Sequence, residues 1–286
     1  MIPSLPRSLW ARLGTWGYAS LFFILLFLPL AVVAVFAFNN APYPAPPWKG
    51  LTLDWFWSTN PQRVGLFGDR PLLGSIWTST KVALWVTAAS LLVGTANAFL
   101  IERVRFPGKQ ALYLMMLAPL VIPGVILGIS ILAFASHIAN LADDLWGIEL
   151  EFLRPGLVLV ALGQFSFVAS ITTLSVLARL KRFDTSLEEA AYNLGASGFT
   201  VFRTITLPYL RPALIGSAAI AFLMSFENFN TTLMLVGSDA PLTIMMYGRM
   251  REGASPVLNA VSLVLMLLTA AMAIFMLGHG AKRQGA

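Results

Sequence analysis

One polar interruption between two long apolar segments reads Ser186-Leu-Glu-Glu-Ala-Ala-Tyr-Asn-Leu-Gly-Ala-Ser-Gly-Phe-Thr-Val-Phe-Arg-Thr-Ile-Thr-Leu-Pro208. Its first half predicts a short helix, because Ser186 with Glu189 has the spacing of a capping box, and Thr185 with Glu188 offers the same pairing one residue earlier. Gly195 falls where such a helix needs a left-handed residue to end it. A second short helix is expected over residues 198–206 and ends at Pro208.

The first of these helices carries a narrow apolar stripe at positions i, i+3, i+4 and i+7. The stripe consists of Leu187, Ala190, Ala191 and Leu194. Two alanines at its centre let another surface approach the helix backbone closely. From the residues alone two interpretations stay open: the helix lies on its own membrane domain, or it docks a separate cytoplasmic protein.

The composition indicates an integral membrane protein. Of 286 residues, 57% are hydrophobic and 11% charged, whereas soluble domains carry about 25% charged residues. The chain has no cysteine and only two histidines, His137 and His279, far apart in sequence. We therefore expect no metal site and no thiol chemistry. We also expect no nucleic-acid partner, because the net charge of +6 comes from basic residues at membrane edges.

Six segments are long and apolar enough to cross a bilayer, so the predicted fold is an all-α bundle. They cover approximately 17–38, 73–101, 111–136, 155–178, 210–236 and 256–278. With the N-terminus placed inside, about twice as many lysines and arginines lie in inner as in outer segments. This bias predicts that both termini and the loop over 179–209 are cytoplasmic.

The fifth predicted span carries an unusual polar group. Glu227 is expected near the middle of the membrane, with Asn228, Asn230 and Thr231 beside it. A carboxylate at that depth faces a cavity or a partner. Glu227 and Thr231 are four residues apart, so a continuous helix places them on one face. They are either a clamp between helices or a contact for substrate or gate.

Three other regions carry weaker signals. The third predicted span is broken by Pro119, Pro123, Gly124 and Gly128. Gly124 and Gly128 form a GxxxG pair, which indicates either close helix packing or a broken helix at a transport site. Residues 39–72 form either a stiff extended outer loop or a contact for a periplasmic partner. Residues 237–252 predict a short interfacial helix, whose Arg249 and Arg251 could pair with a partner's acids or with lipid phosphates.

The polar interruption resembles the EAA signature of ABC-importer permeases, through Glu189-Ala190-Ala191, then Gly195, then Ile205-x-Leu207-Pro208. The resemblance extends over about 73–278. Within the family, the chain is most similar to the polyamine branch, the permeases of spermidine and putrescine importers. It implies a MetI-like bundle of six transmembrane helices. The branch typically has two acids where this chain has Glu227 and Asn228, so one acid is replaced by an amide.

The resemblance implies roles for particular residues. The segment is a coupling helix that docks into an ATPase; the residues assigned to it are Glu188, Glu189, Ala190, Ala191, Gly195 and Pro208. Glu227, Asn228 and Thr231 are assigned to the substrate pathway. No residue is assigned to catalysis or to a metal.

The resemblance also implies the partners. Two ATP-binding-cassette ATPases, a second permease that is expected to be a different chain, a periplasmic solute-binding protein and membrane lipids complete the assembly in a bacterial inner membrane. This chain lacks a G-x-x-x-x-G-K-[ST] sequence, so ATP and magnesium are expected on the ATPase and this chain is expected to be a transport subunit without enzyme activity.

The expected organisation is a cytoplasmic tail over 1–16, a transmembrane domain over 17–278 and a second cytoplasmic tail over 279–286. The expected activity is inward movement of a polyamine or related organic cation by alternating access. Alternatives are an importer permease for an organophosphonate, an opine or an amino acid, and an ion-coupled secondary transporter that uses Glu227.

Overall fold

A computed structural model describes residues 9–253 and 255–281. Six of its helical segments are long and apolar enough to cross a membrane. They are α1 (Leu9–Phe36), α3 (Arg70–Arg103), α5 (Gly124–Trp146), α6 (Leu157–Leu180), the continuous helix over Gly198–Phe226, and α12 (Val257–Ala281). The all-α bundle of six spans is confirmed. The basic residues Arg7, Lys282 and Arg283, used for the predicted orientation, lie outside the described residues.

Shorter elements connect the spans. They are α2 (Asp54–Trp57), α4 (Lys109–Val121), α7 (Ser186–Asn193), α10 (Asn230–Leu235) and α11 (Leu242–Gly253), together with the strands β1 (Thr59–Asn60) and β2 (Arg63–Val64). The strands form an antiparallel hairpin in which Thr59 faces Val64. Helix α11 confirms the short helix predicted over 237–252.

The chain divides into two compact units. One contains the described residues up to 70 together with those of 248–278, and the other contains residues 71–247 together with the described residues from 279 on. In the second unit α6 is the central helix, since half of its most apolar window is buried. Two apolar clusters pack around it, one including Val86 and Val168 and the other including Ile101 and Val176. In contrast, α1 of the first unit has no buried residue.

The region 39–69, which was predicted to be an outer loop, is a small folded structure, so its prediction as a stiff extended loop is wrong. Its interior contains Trp55, Phe56 and Leu66. The indole N–H of Trp55 donates a 2.8 Å hydrogen bond to the backbone carbonyl of Asn39. Arg63 adds a 2.7 Å ion pair with Asp54. Burial of these large apolar side chains offsets the cost of ordering the proline-rich chain before them.

The third predicted span, 111–136, is not one helix. It divides between α4 and α5 at Pro123, because the residue before a proline is forced out of the helical region, and Ile122 has an extended ψ of 128°. The glycine pair after the break packs closely, as predicted. A β-carbon on Gly128 would lie 2.9 Å from the β-carbon of Met234, and one on Gly124 would lie 3.1 Å from that of Asn230.

The predicted helix end at Pro208 is also wrong. α8 (Gly198–Val201) runs through a π-helical turn (Phe202–Thr206) into α9 (Leu207–Phe226). In a regular α-helix the ring of Pro208 would collide with the carbonyl of Thr204. The wider π turn lies directly before the proline, which occupies the first turn of α9, and the helix continues.

Candidate functional site

The helix α7 ends as the sequence predicts. Gly195 has a φ of +84°, a left-handed conformation that costs glycine little. The amide of Gly195 donates to the carbonyl of Tyr192 at 2.9 Å, and the amide of Ala196 donates to the carbonyl of Ala191 at 3.0 Å. This pair of hydrogen bonds is a Schellman motif, and it fixes the direction in which the chain leaves the helix.

The helix begins differently from the prediction, because neither expected capping box forms. Thr185 already has helical backbone angles and makes no side-chain cap bond. Instead Asp184 accepts a 3.0 Å hydrogen bond from the backbone amide of Ser186. Asp184 is exposed, and its carboxylate accepts hydrogen bonds from the side chain and the backbone of Ser186. These hydrogen bonds hold the pKa of Asp184 below its ordinary value. The cap is therefore an ionised carboxylate at the positive end of the helix.

The apolar stripe of α7 is exposed. No residue of this helix is buried, and the exposed fractions are 52% for Leu187 and 89% for Leu194. Ala190 is exposed between them and Ala191 is half-buried. Within the described part of the chain this face is uncovered, which favours the interpretation of α7 as a docking helix over a helix lying on its own bundle.

The two acids of α7 point in different directions, since neighbouring helical residues are about 100° apart. Glu189 is exposed. Glu188 is only 17% exposed at its side chain and pairs with Arg103 of α3 at 3.1 Å. Its other carboxylate oxygen accepts a 2.6 Å hydrogen bond from the hydroxyl of Thr206. Of the two acids, only Glu189 is therefore free to meet a partner.

The second predicted site lies at a break in the chain between α9 and α10. The fifth span ends at Phe226, so the continuous span predicted over 210–236 is wrong, and Glu227 is at the end of a span and not near its middle. Two helix breaks meet here, because the hydroxyl of Thr231 donates to the carbonyl of Gly124 at 3.3 Å. Gly124 opens α5 directly after the α4–α5 break.

A chain of buried hydrogen bonds fixes this second break. The amide nitrogen of Gln164 in α6 donates to the hydroxyl of Thr232 at 2.8 Å. That hydroxyl donates to the side-chain oxygen of Asn228 at 2.9 Å, which also accepts the backbone amide of Thr232 at 3.1 Å. The hydroxyl of Ser225 donates to the side-chain oxygen of Gln164. The side-chain oxygen of Asn228, just before α10, therefore satisfies a backbone amide in the first turn of that helix and is committed to structure.

Glu227 and Thr231 do not share a face, contrary to the prediction. The helix is interrupted between them, and Glu227 is exposed while Thr231 is buried. The carboxylate of Glu227 lies at the C-terminal end of α9, where the helix dipole is negative. This end of the helix and the carboxylate both favour a cation. Among the described residues, no three His, Asp or Glu side chains lie together as a metal site.

Sequence reasoning missed several residues of both sites. Asp184, Arg103 and Thr206 hold α7, and Gln164 with Thr232 holds the second break. A single amide in the otherwise apolar stretch around Gln164 is the one signal that pointed there, because a buried amide needs hydrogen-bond partners. The pairing of Glu188 with Arg103 joins residues far apart in the chain and leaves no local pattern.

Comparison with known proteins places these sites in context. Residues 90–279 match the family described as binding-protein-dependent transport system inner membrane component. Two relatives come from Escherichia coli K12. The putrescine transport system permease protein PotI is 27% identical, covering 85% of this chain and 82% of the relative. The spermidine/putrescine transport system permease protein PotC is 27% identical and covers 92% of both chains.

Solved structures share the fold. A chain of a bacterial ABC transporter involved in the import of the acidic polysaccharide alginate superposes with a TM-score of 0.75, at 18% identity and over 96% of both chains. The MetNI methionine ABC transporter in an inward-facing conformation gives a TM-score of 0.54, at 18% identity, over 72% of this chain and 92% of that one.

Proposed function

The chain belongs to the family of binding-protein-dependent transport system inner membrane components and is a multi-pass permease subunit of an ABC importer; we propose that its cargo is a polyamine or a related organic cation. The observation that carries the assignment of α7 to an ATPase is its exposed apolar stripe, which ends at the left-handed Gly195. The assignment of the cargo has separate support.

The proposed cargo is supported by chemistry at the second break. Glu227 is an exposed carboxylate on the negative end of α9, so the electrostatic potential attracts an ammonium group. Relatives over most of this chain carry names that include putrescine and spermidine. Because the side-chain oxygen of Asn228 already accepts two hydrogen bonds from Thr232, Glu227 is the residue to which we assign the cation contact. Thr231 is buried and binds Gly124, so we assign it to the scaffold of the pathway.

We propose that separate ATP-binding-cassette ATPases drive transport and bind the ATP and magnesium. The exposed α7 has the shape that a groove on such a subunit would accept, with small side chains at its centre and Leu187 and Leu194 at its ends. The docking residues in this proposal are Glu189, Ala190 and Ala191, while Gly195 and Pro208 shape the segment. This chain itself then carries out no hydrolysis.

The remaining partners and the orientation belong to the same proposal. A second permease, a different chain, completes the pathway, and a periplasmic solute-binding protein delivers the cargo. No residue of α1 is buried, so this helix is available to such a permease or to lipid. Both termini and α7 are on the cytoplasmic side, and ATP-driven movement of α7 switches the pathway between inward- and outward-facing states.

The test is ATP hydrolysis and cargo uptake by the complex reconstituted in proteoliposomes. Polyamines, amino acids, organophosphonates and sugars are presented with the solute-binding protein. We expect stimulation by a polyamine together with ATP-dependent uptake. Stimulation by another class of ligand would contradict the cargo, and uptake that follows an ion gradient without ATP would contradict the importer mechanism.

A further inference from the structure

We infer that Glu188 is a positioning residue that fastens the docking helix α7 to the inner ends of two spanning helices. In this inference Glu188 makes no contact with the ATPase. It carries the displacement of α7 to α3 and α9. The inference rests on the proposed docking of an ATPase on α7, and it separates two neighbouring acids that the sequence pattern groups together.

The geometry gives Glu188 two partners on two different elements. One carboxylate oxygen is 3.1 Å from the guanidinium of Arg103, the last residue of α3. The other accepts the hydroxyl of Thr206 at 2.6 Å, at the end of the π turn that opens α9. A carboxylate withdrawn this far from water needs such partners, and charge-assisted hydrogen bonds are stronger than neutral ones.

The partners are themselves held firmly. Thr206 is buried. The guanidinium of Arg103 lies 5.4 Å from the ring centre of Phe183, and Phe183 packs edge-on against Tyr209 at 5.0 Å. The guanidinium of Arg179, at the end of α6, in turn lies 4.0 Å from the ring centre of Tyr209. Arg103 therefore lies in a packed layer that joins the ends of three spanning helices.

A second contact joins α3 to the π turn directly. The rings of Phe99 and Phe202 meet at 5.8 Å. Elsewhere α7 is weakly held, since none of its residues is buried. Within the described part of the chain, the contacts of Glu188 are therefore the polar attachment of α7 to the bundle. If they are removed, α7 stays attached to α6 and α8 through the backbone and to the segment over 198–206 through packing.

Hydrogen exchange of the full chain in lipid nanodiscs tests the anchoring without any partner. Glu188→Ala should raise exchange of the α7 amides about fivefold, since it removes both attachments. Glu189→Ala is the matched control, because its side chain is exposed and its loss should leave exchange in the isolated permease unchanged. Equal exchange in the two variants would overturn the inference.

The second test measures molecules of ATP hydrolysed per cargo molecule in the reconstituted complex. Glu188→Arg and Arg103→Glu alone should each raise this ratio about fivefold, while ATPase binding is retained. The double variant should recover coupling, because it restores opposite charges and the hydroxyl of Thr206 can accept from an arginine.

The two proposals fail in different ways. If the wild-type complex hydrolyses ATP without moving cargo, the proposed function is wrong. If wild-type transport is coupled and both single variants stay equally coupled, only the role of Glu188 is wrong. Loss of ATPase binding in Glu188→Arg that the double variant does not restore would instead make Glu188 a docking residue and overturn the inference.

Discussion

The two candidate sites are built in opposite ways. In α7 the apolar residues Leu187 and Leu194 are exposed. The helix is fixed on its opposite side by Glu188 and at its end by the Schellman motif at Gly195. At the break between α9 and α10 the polar groups of Gln164, Ser225 and Thr232 are buried and bind one another. The carboxylate of Glu227 stays exposed there, outside this buried network.

The difference follows from what a docking surface and a helix break each require of their side chains. A docking surface keeps apolar side chains in solvent until a partner covers them. A helix break inside a bundle exposes backbone groups that must be satisfied from within, so most of its polar side chains serve the scaffold. Substitutions in α7 should therefore affect assembly, and substitutions at the break should affect either stability or cargo.

The largest effect is expected from Gly195→Pro. Proline holds φ near −65°, whereas Gly195 has a φ of +84°, so the Schellman end cannot form. We expect at least about a hundredfold loss of ATPase affinity, because a displaced helix loses the whole interface at once. Binding of the ATPase to the permease in nanodiscs measures it.

Gly195→Asn is the control for this substitution, because asparagine tolerates the left-handed region. It should retain most of the affinity. Equal loss in both variants would show that the absence of a side chain at Gly195 matters and not its backbone conformation.

The second effect concerns the break. Gln164→Leu should lower the free energy of unfolding by about 2 kcal/mol, since it removes two buried hydrogen bonds worth about 1 kcal/mol each. Thermal unfolding in detergent measures the change. Ser166→Ala is the matched control in the same helix, because the hydroxyl of Ser166 donates to the carbonyl of Gly163 within that helix; a similar loss there would contradict the scaffold role.

A smaller effect is expected from Glu227→Gln, which removes the exposed charge and keeps the shape. We expect the apparent affinity for a cationic cargo to fall about threefold, with ATPase binding unchanged. Uptake kinetics at several ionic strengths provide the measurement, and the wild-type advantage should shrink as salt rises. Identical kinetics in both proteins would remove Glu227 from the cargo pathway.

The smallest effect is expected at the start of α7. The lowered pKa of Asp184 means that its ionised form is favoured when α7 is formed. Its contribution is therefore present above the ordinary pKa of 3.8 and is lost as the pH falls through the lower, folded value. Asp184→Ala should slightly raise exchange of the first α7 amides, and Asp184→Asn, which keeps an acceptor oxygen, should raise it less. No change in Asp184→Ala would contradict the cap.

The sequence predicted the number of spans, the helix α7 and the conformation of Gly195, because each depends on local pattern or on local backbone preference. The wrong predictions have different causes. The helix continues past Pro208 through a π turn that no residue pattern marked. The folded region 39–69 and the break after Phe226 depend on contacts between residues farther apart in the sequence, such as Trp55 with Asn39 and Gln164 with Thr232. The helical face predicted for Glu227 and Thr231 assumed a continuous helix that the buried network of Asn228 and Thr232 replaces.

The most direct test of the central claim, that α7 is the docking helix, uses a single cysteine. The chain has no cysteine of its own, so Ala190→Cys gives one reactive thiol, at an exposed position on α7, with little change in size. Ser238→Cys is the matched control, exposed in the connection between α10 and α11. We predict that a short crosslinker joins position 190, and not position 238, to the ATPase in the assembled complex, with a yield that changes when ATP binds. An assembled complex in which position 190 gives no crosslink, or in which position 238 reacts equally, would contradict the account.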